Sequence, residues 1–286
     1  MQSQVDLHIH SLYSDGVYAP SALVEMAAHK GLRAIALADH DSVGGIEEAL
    51  AAGERCNVEV IPAIELSVEF NKLNDIHLLG YYIDHRDPAF LDKLALFRQR
   101  RDERGRLIVA RINEKLEREK KGCITYGEVD ALAVDALGRP HIAQILVAHG
   151  LARDIRDAFD SYLVPCNVPK LYFPLVDALA EIRRLNGVAV LAHPTTITED
   201  RRALKDLIFQ LSALGLDGIE VINNASSNDD MMFLQSLARH MGLVITGGSD
   251  FHGFESDIEM GSGRGLLSLP YDMVEAVKLR RPPALS

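Results

Sequence analysis

The chain is poor in cysteine. Its 286 residues hold only Cys56, Cys123 and Cys166, with no C-x-x-C spacing. That excludes a disulfide framework and a thiolate zinc site. Positive charge is in deficit: the formal net charge is −11 and the pI about 5.4. A duplex-binding protein carries a basic surface, so no duplex DNA partner is expected and any nucleic-acid contact would be local. Long apolar runs are missing. No stretch approaches the ~20 apolar residues of a membrane span, and the start, "MQSQVD", has no apolar signal core. The expected location is therefore cytoplasmic, with no membrane partner. Internal repeats and low-complexity linkers are absent too. What remains is ordinary for a soluble globular protein, 48% hydrophobic and 25% charged. Nothing here needs a metal merely to fold, so a metal would serve chemistry.

Strand and helix patterns alternate at both ends of the chain. "VDLHIH", "RAIALADH", "VEVIPAIEL" and "DIHLLGYYID" read as strands, with "APSALVEMAAHKG" and "GGIEEALAAGERCN" as helices between them. From about Phe90 to about Pro169 the pattern becomes helical throughout, beginning with the highly charged "FLDKLALFRQRRDERGRLIVARINEKLEREKKG". Alternation resumes with the strands "VAVLAHP", "LDGIEVIN" and "LVITGGSDFH". The reading is an α/β barrel or parallel sheet formed by residues 1–89 and 170–286. Residues 90–169 would be a helical insertion packed on it.

Polar residues able to bind metal recur where these strands end. His8 and His10 close the first, and Asp15 follows in the loop. His40 closes the second, and Glu65 lies near the end of the third. His193 follows a later strand, and Asp250 and His252 close the last. His77 is an exception, since it stands early in its strand. Active sites of α/β folds gather at the carboxyl ends of parallel strands. Residues two apart on a strand share a face, so His8 and His10 project together. Asp250 and His252 do so as well if "SDFH" stays extended. A lone histidine at a strand end is usually a hydrogen-bonded polar residue. Six histidines and three carboxylates at matching positions point instead to a site. Nitrogen and oxygen donors without thiolate suit Mn, Fe or Zn. Nine donors are too many for one ion and suit two or three. Such a centre is locally cationic within an acidic protein, which favours an anionic substrate such as a phosphate ester.

The blocks "HIHSLYSDG", "ADHDSVGG", "AIELS", "IHLLGY", "AHP" and "GSDFH" resemble the motifs of the PHP family, named for polymerase and histidinol phosphatase. Among its members the chain is similar to the bacterial subgroup of 3′,5′-nucleotide bisphosphate phosphatases and 5′-to-3′ exoribonucleases. The resemblance implies a distorted (β/α)7 barrel and a trinuclear centre, with Mn2+ preferred and Zn2+ or Fe2+ as alternatives. It implies one ion on His8, His10, Glu65 and Asp250, a second on Glu65, His77 and His193, and a third on Asp15, His40 and His252. Glu65 is then a bridge.

The insertion supplies candidate substrate contacts. Arg101 and Arg104, three apart on one helix face, are placed to fork a second phosphate. Arg139 and His141, at a helix start, would favour an anion. The plainer alternatives are a solvated helix face and ordinary capping. Residues 98–121 hold ten Lys/Arg against five Asp/Glu. The expected reaction is removal of the 3′-phosphate of a 3′,5′-bisphosphonucleotide by metal hydroxide. Asp15 or His252 would shuttle the leaving-group proton. Competing functions are 5′-to-3′ trimming of short RNA, histidinol phosphate hydrolysis, and a non-catalytic metal-binding accessory module.

Overall fold

Runs of aliphatic residues give strands, most of them short and followed by a helix; the longer strand Glu59–Phe70 runs straight into the next. In the computed structural model, which describes residues 4–282, the first half holds β1 (Val5–Ile9), α1 (Pro20–His29), β2 (Ala34–Leu37), α2 (Ile46–Cys56), β3 (Glu59–Phe70) and β4 (Leu73–Tyr81). Helices follow: α3 (Pro88–Arg118), α4 (Tyr126–Asp130), α5 (Arg139–Ala148) and α6 (Ile155–Ala158), the last running into a π-helical turn at Phe159–Leu163. The two-residue β5 (Phe173–Pro174) leads into α7 (Leu175–Arg184), β6 (Val188–Leu191), α8 (Arg201–Ala213), β7 (Gly218–Ile222), α9 (Asn228–Met241), β8 (Val244–Gly247) and α10 (Asp272–Arg280). Both β5 and α10 escape the sequence pattern, the first by its brevity. The polar start is only partly seen, since Met1–Ser3 lie outside the described residues.

Seven strands pair in chain order, β1-β2-β3-β4-β6-β7-β8, with β5 added beside β3. The two edges meet through one parallel bridge, Ile9 to Phe251, where His10 N–H donates to the Phe251 carbonyl at 2.9 Å. This is the distorted seven-stranded α/β barrel expected. The distortion lies chiefly in β4, which runs antiparallel to both neighbours, β3 and β6.

Period-2 alternation sorts side chains inward and outward. Ala34, Ala36, Ile61, Ala63, Leu79, Tyr81, Val188 and Val190 form an inner cluster. Ile35, Leu37, Ile64, Leu78, Ile219 and Val221 face the helices in an outer one. A third cluster belongs to the helical segment, from Ile108 to Val168. That segment does not begin cleanly at residue 90. Phe90 and Leu94, in the first turns of α3, pack into the barrel's outer cluster. No helix among the described residues is long and apolar enough to cross a membrane.

Candidate metal centre

The inner alternation, continued one step past the apolar plug, delivers the polar residues. Ile61 and Ala63 lead to Glu65, while Tyr81 and Leu79 lead back to His77. Because β4 is reversed, its start lies at the same rim as the ends of the parallel strands. This resolves the exception that His77 posed. In β1 the register slips between Asp6 and Ile9. Bulges re-aim side chains, and here Leu7 joins the inner plug while His8 reaches the inward-facing Glu65 and Glu220.

Glu65 is fully buried, and five imidazoles surround it. Its Oε2 lies 3.3 Å from His8 Nε2, 3.4 Å from His10 Nε2 and 3.0 Å from His40 Nδ1. Its Oε1 lies 3.0 Å from both His77 Nδ1 and His193 Nε2, which are 3.3 Å apart. Asp250 Oδ1 sits 3.5 Å from His8 Nε2 and 3.1 Å from His10 Nε2. Asp15 Oδ1 faces His252 Nε2 at 3.3 Å, and Asp15 Oδ2 faces His40 Nε2 at 3.8 Å. Donor atoms within 4.8 Å of one another fall into three groups: His8, His10, Glu65 and Asp250; His40, Glu65 and His77; and His10, Asp15, His40 and His252. His193 approaches the second through Glu65 and His77. The structure thus gathers all nine sequence candidates, and it lets His10 and His40 each serve two groups.

Asp250 adopts a left-handed backbone, φ 53°. "SDFH" is therefore not extended. The condition for a shared face is not met, and the Asp250 carboxylate and the His252 ring go to different groups.

The donor set fits divalent ions. His8 Nε2, His10 Nε2, Asp15 Oδ1, His40 Nδ1 and Glu65 Oε2 are buried with no hydrogen-bond partner. Buried polar atoms are rarely left so, and here five converge. Burial, with His252 and His40 nearby, pushes His10 down to about 3, so its ring stays neutral with a lone pair free. Burial opposes the charged form of His252, but Asp15 and Asp250 outweigh it and raise it to about 10. Burial likewise disfavours the Glu65 carboxylate, yet His40, His77 and His8 hold it well below the usual range.

A cleft of about 140 Å³ adjoins the centre, lined by Asp15, His40, His77, Arg104, Arg139 and Lys170 among others. A second, of about 370 Å³, opens past His77 and His193 toward Asn74, Thr196 and Ala225. The four expected substrate contacts fare differently. Arg101 lines the first cleft but is largely committed: Nε and Nη2 donate to Asp41, and Nη1 donates to the Leu137 carbonyl. Arg104 donates to the Val168 carbonyl and Asn167 Oδ1, both at 2.7 Å, and still borders the cleft. Arg139 also lines it, with Nη2 3.5 Å from Asp75 Oδ2. His141 is nearly buried; its Nδ1 accepts from Gly138 N–H at 3.0 Å. That capping role makes it a strut of the helix start.

Sequence reasoning missed four residues. Glu220, inside the apolar strand "LDGIEVIN", meets His8 Nδ1 at 2.9 Å and accepts from His193 N–H at 2.7 Å. Lys170, the residue just after the insertion, is mostly buried in the cleft wall; desolvation, with Arg101 nearby, lowers it to about 7. Asp41 pairs with Arg101, and Asp75 faces Arg139. Glu220 carried one signal, a carboxylate in a strand otherwise apolar.

Barrel and donor set together define a hydrolase with a histidine–carboxylate metal centre. More narrowly, the chain belongs to the PHP domain family, whose pattern matches residues 6–165. It is 34% identical to a 3′,5′-nucleoside bisphosphate phosphatase of Chromobacterium violaceum, covering 87% of each chain. It is 31% identical to a 5′-3′ exoribonuclease of Haemophilus influenzae, over 93% of this chain and 96% of that one. Among solved structures, an amidohydrolase of C. violaceum with bound sulfate and no metal superposes with a TM-score of 0.84 at 30% identity, covering 99% of both chains. A protein of Bifidobacterium adolescentis, provisionally assigned as a metal-dependent phosphoesterase, gives 0.85 at 27% identity, covering 99% of this chain and 98% of that one.

Proposed function

We propose that this protein removes the 3′-phosphate from 3′,5′-bisphosphonucleotides. The observation that carries the reading is the adjacency of two features: five orphaned donor atoms, Glu65 Oε2 among them, and a small cleft bordered by Arg104, Arg139 and Lys170. The first suits the phosphate that is cleaved and the second suits a phosphate that is kept. The similarity to a bisphosphate phosphatase supports the same substrate class.

His8, His10, Asp15, His40, Glu65, His77, His193, Asp250 and His252 would hold two or three ions, three preferred, with Mn2+ as our choice and Zn2+ or Fe2+ as alternatives; the mixed imidazole and carboxylate donors suit all three. Such ions supply an activated water and a counter-charge for phosphoryl oxygens. The chain's own residues do the rest. Glu220 fixes the His8 ring, and Thr196 Oγ1 bonds His193 Nδ1 at 3.0 Å. Asp15 or His252, which lie 3.3 Å apart, would relay a proton to the leaving oxygen. Arg104, Arg139 and Lys170 orient the retained phosphate. Residues 90–169 act as a cap that excludes water above the centre. The three free thiols fit a reducing cytoplasm.

A second reading is 5′-to-3′ trimming of short RNA, favoured by the exoribonuclease relative and by the basic stretch 98–121. A terminal nucleotide carries the same retained phosphate, so one site could serve both. The test is phosphate release from a 3′,5′-bisphosphonucleotide, a 5′-mononucleotide and histidinol phosphate with Mn2+, beside a short RNA ladder. Turnover of the bisphosphonucleotide is expected. Turnover of histidinol phosphate alone would overturn the reading, because that substrate leaves the cleft's cations without a partner.

A further inference from the structure

The small cleft contains a carboxylate that neither the fold nor the nine donors require. Asp75 borders both clefts, between the cations on one side and the Asn74–Thr196 side on the other. It sits where β3 and β4 slip register, between the Val68–Ile76 and Phe70–Leu73 pairs, with a left-handed backbone, φ 63°. Such backbones are uncommon outside glycine and asparagine-like residues, and bulges beside active sites re-aim side chains.

Besides a side-chain hydrogen bond with Tyr172, the re-aimed carboxylate makes loose ionic contacts. Asp75 Oδ2 is 3.5 Å from Arg139 Nη2, and Oδ1 is 4.0 Å from Lys170 Nζ and 3.9 Å from His77 Nε2. Closed charge-assisted hydrogen bonds run near 2.7–2.9 Å. Arg101 and Arg104 have closed partners elsewhere. Arg139 has Asp75 and a cation–π contact with Phe159 at 5.6 Å; Lys170 has Ser67 and Asp75. One exposed carboxylate thus faces two cations at arm's length, in the place where an anion belongs.

We infer that Asp75 is a specificity-determining residue, holding the place of the substrate's retained phosphate and yielding it only to a group of higher charge. The inference rests on the reading of this cleft as an anion subsite. A phosphate dianion brings two charges and three acceptor oxygens to Arg139 and Lys170 and displaces the carboxylate. A hydroxyl brings no charge and leaves the carboxylate in place, so the displacement cost falls only on ligands that enter the cleft as anions.

Metal-free protein titrated calorimetrically with adenosine 5′-monophosphate tests this, in wild type, Asp75→Asn and Arg139→Gln. Asparagine keeps the size and tolerates the left-handed backbone. Arg139→Gln should weaken binding. Asp75→Asn should tighten it on the order of ten-fold, the scale of one charge at such distances between water and protein. In Mn2+-loaded protein, KM for the bisphosphonucleotide should fall in Asp75→Asn, while kcat/KM for the 3′-monophosphate, which leaves the carboxylate in place, should change little. If Arg139→Gln leaves affinity unchanged, the cleft is not the anion subsite and the underlying reading fails. If Arg139→Gln weakens binding but Asp75→Asn does not tighten it, the cleft stands and the placeholder is overturned. A carboxylate serving only to orient His77 gives that second result.

Discussion

His8 Nδ1 lies 2.9 Å from Glu220 Oε1 with both side chains fully buried, and Glu220 Oε2 accepts from His193 N–H at 2.7 Å. One carboxylate, itself outside the three donor groups, thereby fixes a histidine in β1 and the turn after β6. A partner on the second ring nitrogen sets tautomer and orientation. Glu220→Gln should lower metal affinity by about 10–100-fold, measured by titration of metal-free protein with Mn2+. An affinity equal to wild type would remove Glu220 from the centre's support.

The cleft should bind anions in a pH-dependent way. Burial and Arg101 depress Lys170 to about 7, so its charge is present below that pH and lost as pH rises through it. Sulfate remains a dianion across the range and makes a clean probe. Its affinity for metal-free protein should fall between pH 6 and 9, and Lys170→Gln should flatten much of that slope. Burial disfavours charge on His40, but Glu65 and Asp15 outweigh it and raise it above its ordinary value. His40 faces the same space, and its share of the slope survives the substitution, while Asp75 is held below the usual carboxylate range and stays charged throughout. Parallel profiles in the two proteins would show that Lys170 does not titrate there.

Asp41→Asn should destabilise the fold although it changes no volume. The Asp41–Arg101 pair is buried, 1% and 9% exposed, and the variant strands a guanidinium in the cleft wall. Removing one partner of a buried pair costs about 3–5 kcal/mol. Urea unfolding should show a lower midpoint with unchanged slope. The paired change Asp41→Asn with Arg101→Met should recover part of the loss.

Metal should stabilise the barrel. Three carboxylates and six histidines gather with five donor atoms unpartnered, so an ion binds the folded state and not the unfolded one. At a hundred times its Kd, an ion at one site adds about 2.7 kcal/mol. The melting temperature should rise with Mn2+ and fall back with chelator. Glu65→Gln should abolish most of the rise, because Glu65 touches five of the rings.

The donors were legible because most of them end or begin an apolar run, with Asp15 in the loop just after one, and such punctuation survives in one dimension. Strand direction does not. Alternation reads the same forwards and backwards, so the reversal of β4 was hidden and His77 looked misplaced. Asp41 and Arg101 lie sixty residues apart, and no local pattern joins them. Lys170 reads as a surface lysine until the insertion folds over it. Glu220 was visible as an odd residue in a greasy strand, but its purpose depends on a histidine 212 positions away.

The reversal of β4 has a consequence for the chain's route. It leaves the barrel at the floor, where Asp87 caps α3 and pairs with Arg184 at 2.7 Å. The helical segment must stand at the opposite rim. The 31 residues of α3 span about 46 Å at 1.5 Å per residue, enough to climb the barrel's flank without a joint. Fourteen residues separate the anchor at Asp87 from Arg101, which meets Asp41 at the rim. The helix is thus a ruler with one end nailed down. A single residue inserted between Phe90 and Arg101 would lift everything above it by about 1.5 Å and turn it by about 100°. Arg101 and Arg104 would leave the cleft together, with every donor around Glu65 still in place.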